Sequence, residues 1–191
     1  MRITGGTACG HKIKGPRPGY DSLRPTTDRV REAVFNILAG QVVGARVLDL
    51  FAGTGSYGLE ALSRQARSVV FIERDRTALT LLAQNLKQCF PDASARAFQL
   101  DLARISSLNY LHDHLQDDCS FDLIFLDPPY EKKLAENLLK MVEFAGFIAC
   151  NGIVIVEEKK NQQLPEKFNQ LQLKDRRRYG ETGIWLYTSS A

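Results

Sequence analysis

Asp49-Leu50-Phe51-Ala52-Gly53-Thr54-Gly55-Ser56-Tyr57-Gly58 reads as a strand end running into a glycine turn and then into a helix. Glycines at such a turn let the backbone pass close to a ligand and adopt angles that a Cβ forbids. The turn closes the apolar run Arg46–Phe51, and open parallel sheets bind ligands at the carboxyl ends of their strands. Gly53, Gly55 and Gly58 also satisfy the dinucleotide spacing G-x-G-x-x-G, a pattern that is weak on its own. Asp49, four residues before Gly53, separates the candidates. Its carboxylate would repel a pyrophosphate at the helix N-terminus and attract the ammonium of a methionine moiety. Glu73, 20 residues after Gly53, is placed to accept hydrogen bonds from both hydroxyls of a ribose and suits either ligand. Phe51, Ala52, Gly53, Gly55 and the neighbouring Arg74 complete this set of binding candidates.

Outward from the turn, strand-like and helix-like patterns alternate. Short apolar runs occur at Arg46–Phe51, Val69–Glu73, Ala95–Leu100, Phe121–Leu126 and Gly152–Val156. Helical spacing links Leu79, Leu82, Ala83 and Leu86, and again Leu134, Leu138, Met141 and Val142. Such alternation predicts a parallel sheet covered by helices on both faces. Leu171–Arg178 and Gly183–Thr188 are joined by Tyr179-Gly180-Glu181-Thr182, which leaves no room for a helix. They predict a hairpin and therefore one antiparallel strand near the end. The expected fold is α/β, a mostly parallel seven-stranded sheet, and this ordering resembles the Rossmann-like class I methyltransferases. Asp101 follows the third run and is placed to bond an adenine amino group, with Leu102 lending backbone. Each acid alone could be a helix N-cap; three at successive strand ends form a ligand-binding edge.

Upstream, residues 5–25 are rich in Gly, Pro and basic residues and predict an extended arm, with room for a short hairpin. Thr26-Thr27-Asp28 are helix-start residues, and Val30, Ala33, Val34, Ile37 and Leu38 then recur at helical spacing until Gly40. We therefore divide the chain into a basic arm, 1–28, and a catalytic domain, 29–191. The formal net charge of +3 distributes as +5 over residues 1–31, −4 over 32–150 and +2 over 151–191. That excess suits a polyanionic partner as well as a merely solvated tail. Cys9, Cys89, Cys119 and Cys150 are scattered singly, as free thiols in a reducing cytosol would be. His112 and His114 have no ligand cluster around them, so no metal is expected. With no signal-peptide core and no membrane-spanning apolar run, the expectation is a soluble, cytoplasmic protein. Independently of these features, a monomer is expected.

Phe121–Leu126 runs into Asp127-Pro128-Pro129-Tyr130. Two prolines stop a strand because neither can donate to the ladder, but that purpose requires no acid before them and no aromatic after. The tetrapeptide resembles the [DNS]-P-P-[YFW] motif of methyltransferases that act on amide or base amino nitrogens. An exocyclic amino nitrogen is a poor nucleophile because its lone pair is delocalised into the ring. The Asp127 carboxylate and the Pro128 carbonyl can grip its hydrogens and draw it towards tetrahedral geometry. Pro128 and Pro129 hold these acceptors rigidly, and Tyr130 offers a face for an extruded base.

The arm and first helix carry Gly5-Gly6, Lys12, Pro16, Arg24-Pro25-Thr26, Asp28-Arg29-Val30-Arg31-Glu32-Ala33 and Phe35-Asn36. With the glycine turn, the Asp127 tetrapeptide and Tyr179-Gly180, they closely resemble the bacterial small-subunit rRNA guanine-N2 methyltransferase family over nearly the whole chain. The resemblance implies S-adenosylmethionine as cofactor and one guanine of 16S rRNA as target, in an assembled or partly assembled subunit. It also implies Asp49, Phe51, Ala52, Gly53, Gly55, Glu73, Arg74, Asp101, Leu102 and Asp127 as cofactor contacts. Lys12, Lys14, Arg17, Arg24, Arg29 and Arg31 become the candidate RNA contacts. Two features depart from the family: Cys9-Gly10-His11-Lys12 stands where an Arg-Gly-Arg-Lys-like run is usual, and Tyr57 where a smaller residue is. Looped RNA is where a base is splayed out at least cost. Three alternatives stay open: a protein-glutamine N-methyltransferase, a nicotinamide oxidoreductase and a non-catalytic RNA-binding assembly factor.

Overall fold

A computed structural model describes residues 1–15, 27–102, 105–115, 120–129 and 134–190. The chain divides into two compact units, one over Met1–Leu100 and one from Asp101 onward. Arg17, Arg24 and Tyr130 lie outside the described residues.

The first unit opens with a short antiparallel bridge between Arg2 and Lys12, so its first residues do form the small hairpin that the glycines allowed. Ile3, Ala8 and Ile13 point inward and are buried. Helix α1, Asp28–Leu38, starts where the Thr27 side chain accepts a hydrogen bond from the Val30 N–H at 3.3 Å, the usual service of a Thr N-cap. Val30, Val34, Phe35 and Leu38 form its buried stripe. It ends at Leu38, two residues before the expected stop, because Ala39 takes the positive φ (45°) and a short 3₁₀ turn, Ala39–Val42, carries Gly40.

Strands β1 (Arg46–Leu50), β2 (Ser68–Glu73) and β3 (Ala95–Gln99) follow. They pair in parallel, with Asp49 opposite Phe71 and Glu73 opposite Gln99. Helices α2 (Ser56–Ser63) and α3 (Arg76–Cys89) provide the crossovers. All residues of α2 after Ser56 are buried, so this helix has no solvent face. In α3 the buried positions are Ala78, Leu82 and Asn85. The stripe is therefore rotated from the predicted one, leaves Ala83 exposed and includes a polar residue.

The second unit holds α4 (Ile105–Leu115), β4 (Phe121–Leu126), α5 (Leu134–Phe144), β5 (Ile148–Lys159), β6 (Leu171–Tyr179) and β7 (Thr182–Ser189). β4 and β5 are parallel, whereas β7 is antiparallel to both β5 and β6. The complete strand order is β3-β2-β1-β4-β5-β7-β6, the expected mostly parallel sheet with a reversed strand in its terminal hairpin. β5 is longer than the apolar run Gly152–Val156 suggested, since its far end carries Glu157 and Glu158 opposite Ile184 and Gly183. Both acids are buried, which hides that half of the strand from a hydrophobic pattern. Among the described residues no helix is long and apolar enough to cross a membrane.

Candidate active site

The glycine turn joins β1 to α2 through three positive φ angles, 66° at Phe51, 54° at Gly53 and 91° at Gly55. Gly55 is the N-cap of α2 and has no side chain to bond the free N–H groups of the first turn. Asp49 supplies the missing acceptor, taking the Gly58 N–H on Oδ2 at 2.9 Å. Gly58 is itself required by packing, because a Cβ there would lie 2.1 Å from the Phe71 ring. Glu73 holds the turn from the next strand. Its Oε2 accepts the Gly53 N–H and its Oε1 the Asp75 N–H, both at 2.8 Å. Asp75 in turn caps α3 through the Ala78 N–H.

Asp49 and Glu73 are both buried. Desolvation pushes the Asp49 carboxyl up from 3.8 to about 7; the charge of Glu73 adds to the rise and the Gly58 N–H opposes it. Glu73 therefore serves first as a brace for the turn, and the second lone pair on each oxygen is what a ligand hydroxyl would meet. Ala52, Gly53 and Gly55 are buried, Phe51 is half-buried and Arg74 is exposed.

In the second unit Asp101 is half-buried and Leu102 buried. β4 stays paired with β5 as far as Leu126 opposite Val156. Asp127, Pro128 and Pro129 follow directly, respectively half-buried, buried and exposed. The ladder stops where the prolines remove two donors.

Among the cations proposed for RNA, Lys12, Lys14 and Arg29 are exposed, and the Lys14 Nζ donates to Gln84 Oε1 at 3.3 Å. Arg31 is a correction. Its side chain is fully buried, with Nε 3.2 Å from Glu60 Oε2 and Nη2 3.0 Å from Asp28 Oδ1. Nη2 also donates to the Arg2 carbonyl. A guanidinium so enclosed has no face for a phosphate; it fastens α1 to α2 and to the first residues of the chain. Tyr57, the unusual residue of the turn, is buried with its ring 6.3 Å from that of Phe35, so it packs against α1.

Three residues of this region escaped sequence reasoning. Glu60 accepts from Arg31, Arg64, and both the N–H and hydroxyl of Thr4. Ser63 takes the Ala8 N–H on its hydroxyl oxygen and the Thr7 N–H on its carbonyl. Asn85 bonds both Lys14 and Thr54. The available signals were an acid inside the apolar run Leu59-Glu60-Ala61-Leu62 and an Asn on the stripe Ala78, Leu82, Asn85.

The strand order, the glycine turn and the Asp-Pro-Pro corner define a class I methyltransferase fold. The solved structure of yhhF from Escherichia coli matches with a TM-score of 0.82 at 34% identity, covering 100% of this chain and 98% of the other. The Thermus thermophilus 16S rRNA N2 G1207 methyltransferase, in complex with AdoMet and guanosine, shares the fold at a TM-score of 0.63 and 23% identity. That match covers 91% of this chain and 45% of the other.

The chain belongs to the family described as Conserved hypothetical protein 95, whose model matches residues 1–188. Ribosomal RNA small subunit methyltransferase D of Escherichia coli K12 is 38% identical over 86% of this chain and 78% of its own length. The protein of the same name from Haemophilus influenzae is 36% identical over 98% and 91%.

Proposed function

We propose that this protein transfers a methyl group from S-adenosylmethionine to the exocyclic N2 of a guanine in 16S rRNA, acting in the cytoplasm as a monomer on the small ribosomal subunit or its precursor. The observation that carries this reading is the way Asp49 and Glu73 hold the glycine turn. Asp49 already occupies the Gly58 N–H, one of the amides at the helix N-terminus that a pyrophosphate would need. An acid in that place suits the ammonium of a methionine moiety and opposes a dinucleotide. Glu73 then meets the ribose and Asp101, with Leu102, the adenine. The family's curated relatives, named for rRNA methylation, favour RNA over a glutamine side chain as acceptor.

S-adenosylmethionine supplies a methyl group on a sulfonium, whose sulfur keeps the electron pair of the broken bond as nitrogen forms the new one. The chain's own residues prepare the acceptor. The Asp127 carboxylate and the Pro128 carbonyl accept the two amino hydrogens, which localises the lone pair on nitrogen. As positive charge develops there, Asp127 offsets it and then takes the proton or passes it to water. Pro128 and Pro129 keep these acceptors in place at little entropic cost, so that orientation provides most of the rate. Tyr130 stacks on the base, which is worth ~1–3 kcal/mol. Residues 1–28 act as an RNA-contacting arm through Lys12, Lys14, Arg17 and Arg24, joined by Arg29 from the first turn of α1.

The test is methyl transfer from labelled S-adenosylmethionine to free 16S rRNA, isolated small subunits and total protein, followed by nucleoside analysis. The expected product is N2-methylguanosine in 16S rRNA. Label found only in protein, or only on another base, overturns the assignment.

A further inference from the structure

We infer that Asn85 is a positioning residue that couples the N-terminal segment to the glycine turn, so that RNA held by the segment tightens the turn's hold on the cofactor. The inference rests on the function proposed above.

Asn85 lies on the inner face of α3 with no exposed surface. Its Oδ1 accepts the Lys14 backbone N–H at 2.8 Å. Its Nδ2 donates to the Lys14 carbonyl and to the Thr54 carbonyl, both at 3.1 Å. The amide orientation follows from these partners, since a flipped group would set its NH₂ against an N–H and its oxygen against two carbonyls. Its two donor hydrogens and its oxygen are all engaged. An apolar residue would serve better here if packing were the whole purpose, because Ala78 and Leu82 on the same face are apolar.

The two partners are far apart in the chain and different in purpose. Lys14 belongs to the N-terminal segment, whose backbone is strapped to Ser63 of α2 through Thr7 and Ala8. Gly6 fits that strap only because it lacks a Cβ, which would fall 1.9 Å from the Ser63 carbonyl oxygen. Thr54 sits in the middle of the turn, between Gly53 and Gly55. Glu73 fixes the turn at the Gly53 N–H and Asp49 fixes the helix start at Gly58. The Thr54 carbonyl is fixed by Asn85 and hence follows the backbone of Lys14. A shift of the segment moves the turn, and an ordered turn orders the segment. Coupling of this kind is reciprocal.

The test uses full-length protein, S-adenosylhomocysteine and protein-free 16S rRNA. The dissociation constant of S-adenosylhomocysteine is measured by calorimetry with and without saturating rRNA, for wild type, Asn85→Asp and Asn85→Ala. In wild type, rRNA is expected to tighten S-adenosylhomocysteine at least ~5-fold, and both variants should bring that ratio below twofold. Asn85→Asp retains shape and the acceptor for Lys14 while losing both donors, so it tests the idea even where Asn85→Ala fails to fold. Amide exchange in wild type is a second measurement, with slower exchange over residues 52–58 expected on adding rRNA. Wild-type coupling retained in a folded variant, or exchange unchanged by bound rRNA, overturns the inference. Failure of the wild type to bind S-adenosylhomocysteine at all would instead overturn the proposed function.

Discussion

The guanidinium of Arg31 on α1 meets the carboxylate of Glu60 on α2 at 3.2 Å, and neither side chain exposes any surface. Around the pair, Glu60 also holds Thr4 and Arg64, while Arg31 reaches Asp28 and the Arg2 carbonyl. Nη1 of Arg31 is buried without a hydrogen-bond partner among the described residues, which lowers the net gain from the pair. Removing one partner leaves the other charge buried and uncompensated, at a cost of about 3–5 kcal/mol. Arg31→Met should therefore lower the denaturant midpoint strongly, and Arg31→Met with Glu60→Leu should recover part of the loss. A wild-type midpoint in Arg31→Met would show the pair to be dispensable.

The raised carboxyl of Asp49 should make stability, and the proposed cofactor binding, depend on pH. Its carboxyl titrates at about 7 in the folded protein against 3.8 ordinarily. Between these values the unfolded chain is ionised and the folded chain keeps the proton. Stability contributed by this group is therefore complete below about pH 4, falls as pH rises to 7, and stays lower above it. The full change is on the order of 4 kcal/mol. Asp49→Asn should flatten this slope in denaturation curves taken across that window. A ligand ammonium would restore the charged carboxylate, so S-adenosylmethionine binding near pH 6 should release a proton. Calorimetry in buffers of different ionisation enthalpy measures that release, and none would mean that Asp49 does not face the ammonium.

How much of this was legible depended on whether a residue's role is local. The glycine turn, the acids at strand ends and the Asp127-Pro128-Pro129 corner are written within a few residues, because strand, turn and helix each impose their own spacing. Positions that answer to distant partners were not. Arg31 reads as a helix cation suited to RNA until Glu60 is folded against it, and Asn85 carries no signal of its own until Lys14 and Thr54 flank it. Glu73 was assigned to a ribose, and the structure adds that it braces Gly53 and Asp75. The far half of β5 was missed because Glu157 and Glu158 are buried beside β7, where apolar alternation carries no signal.

Asp127→Ala separates chemistry from cofactor binding. If the carboxylate grips the amino hydrogens and offsets the developing charge, its loss should lower the single-turnover rate by roughly 10²–10³. S-adenosylhomocysteine should bind within about twofold of wild type, since the other proposed cofactor contacts are untouched. Pro128→Ala retains the carbonyl acceptor and gives up only rigidity, so its rate should fall less. Normal turnover in Asp127→Ala would remove the carboxylate from the mechanism.

The salt dependence of RNA binding distinguishes exposed cations from buried ones. Removing a cation that neutralises one phosphate should reduce the magnitude of the slope of log K against log salt by about 1. Lys12, Lys14 and Arg29 are exposed, so neutralising any of them should shallow the slope by up to that amount. Arg31 is enclosed by Glu60, Asp28 and the Arg2 carbonyl, and its charge is balanced within the protein. Arg31→Gln should therefore lower thermal stability while leaving the slope unchanged, measured by filter binding to 16S rRNA well below the variant's melting temperature. A shallower slope in Arg31→Gln would require the Arg31–Glu60 pair to open when RNA binds.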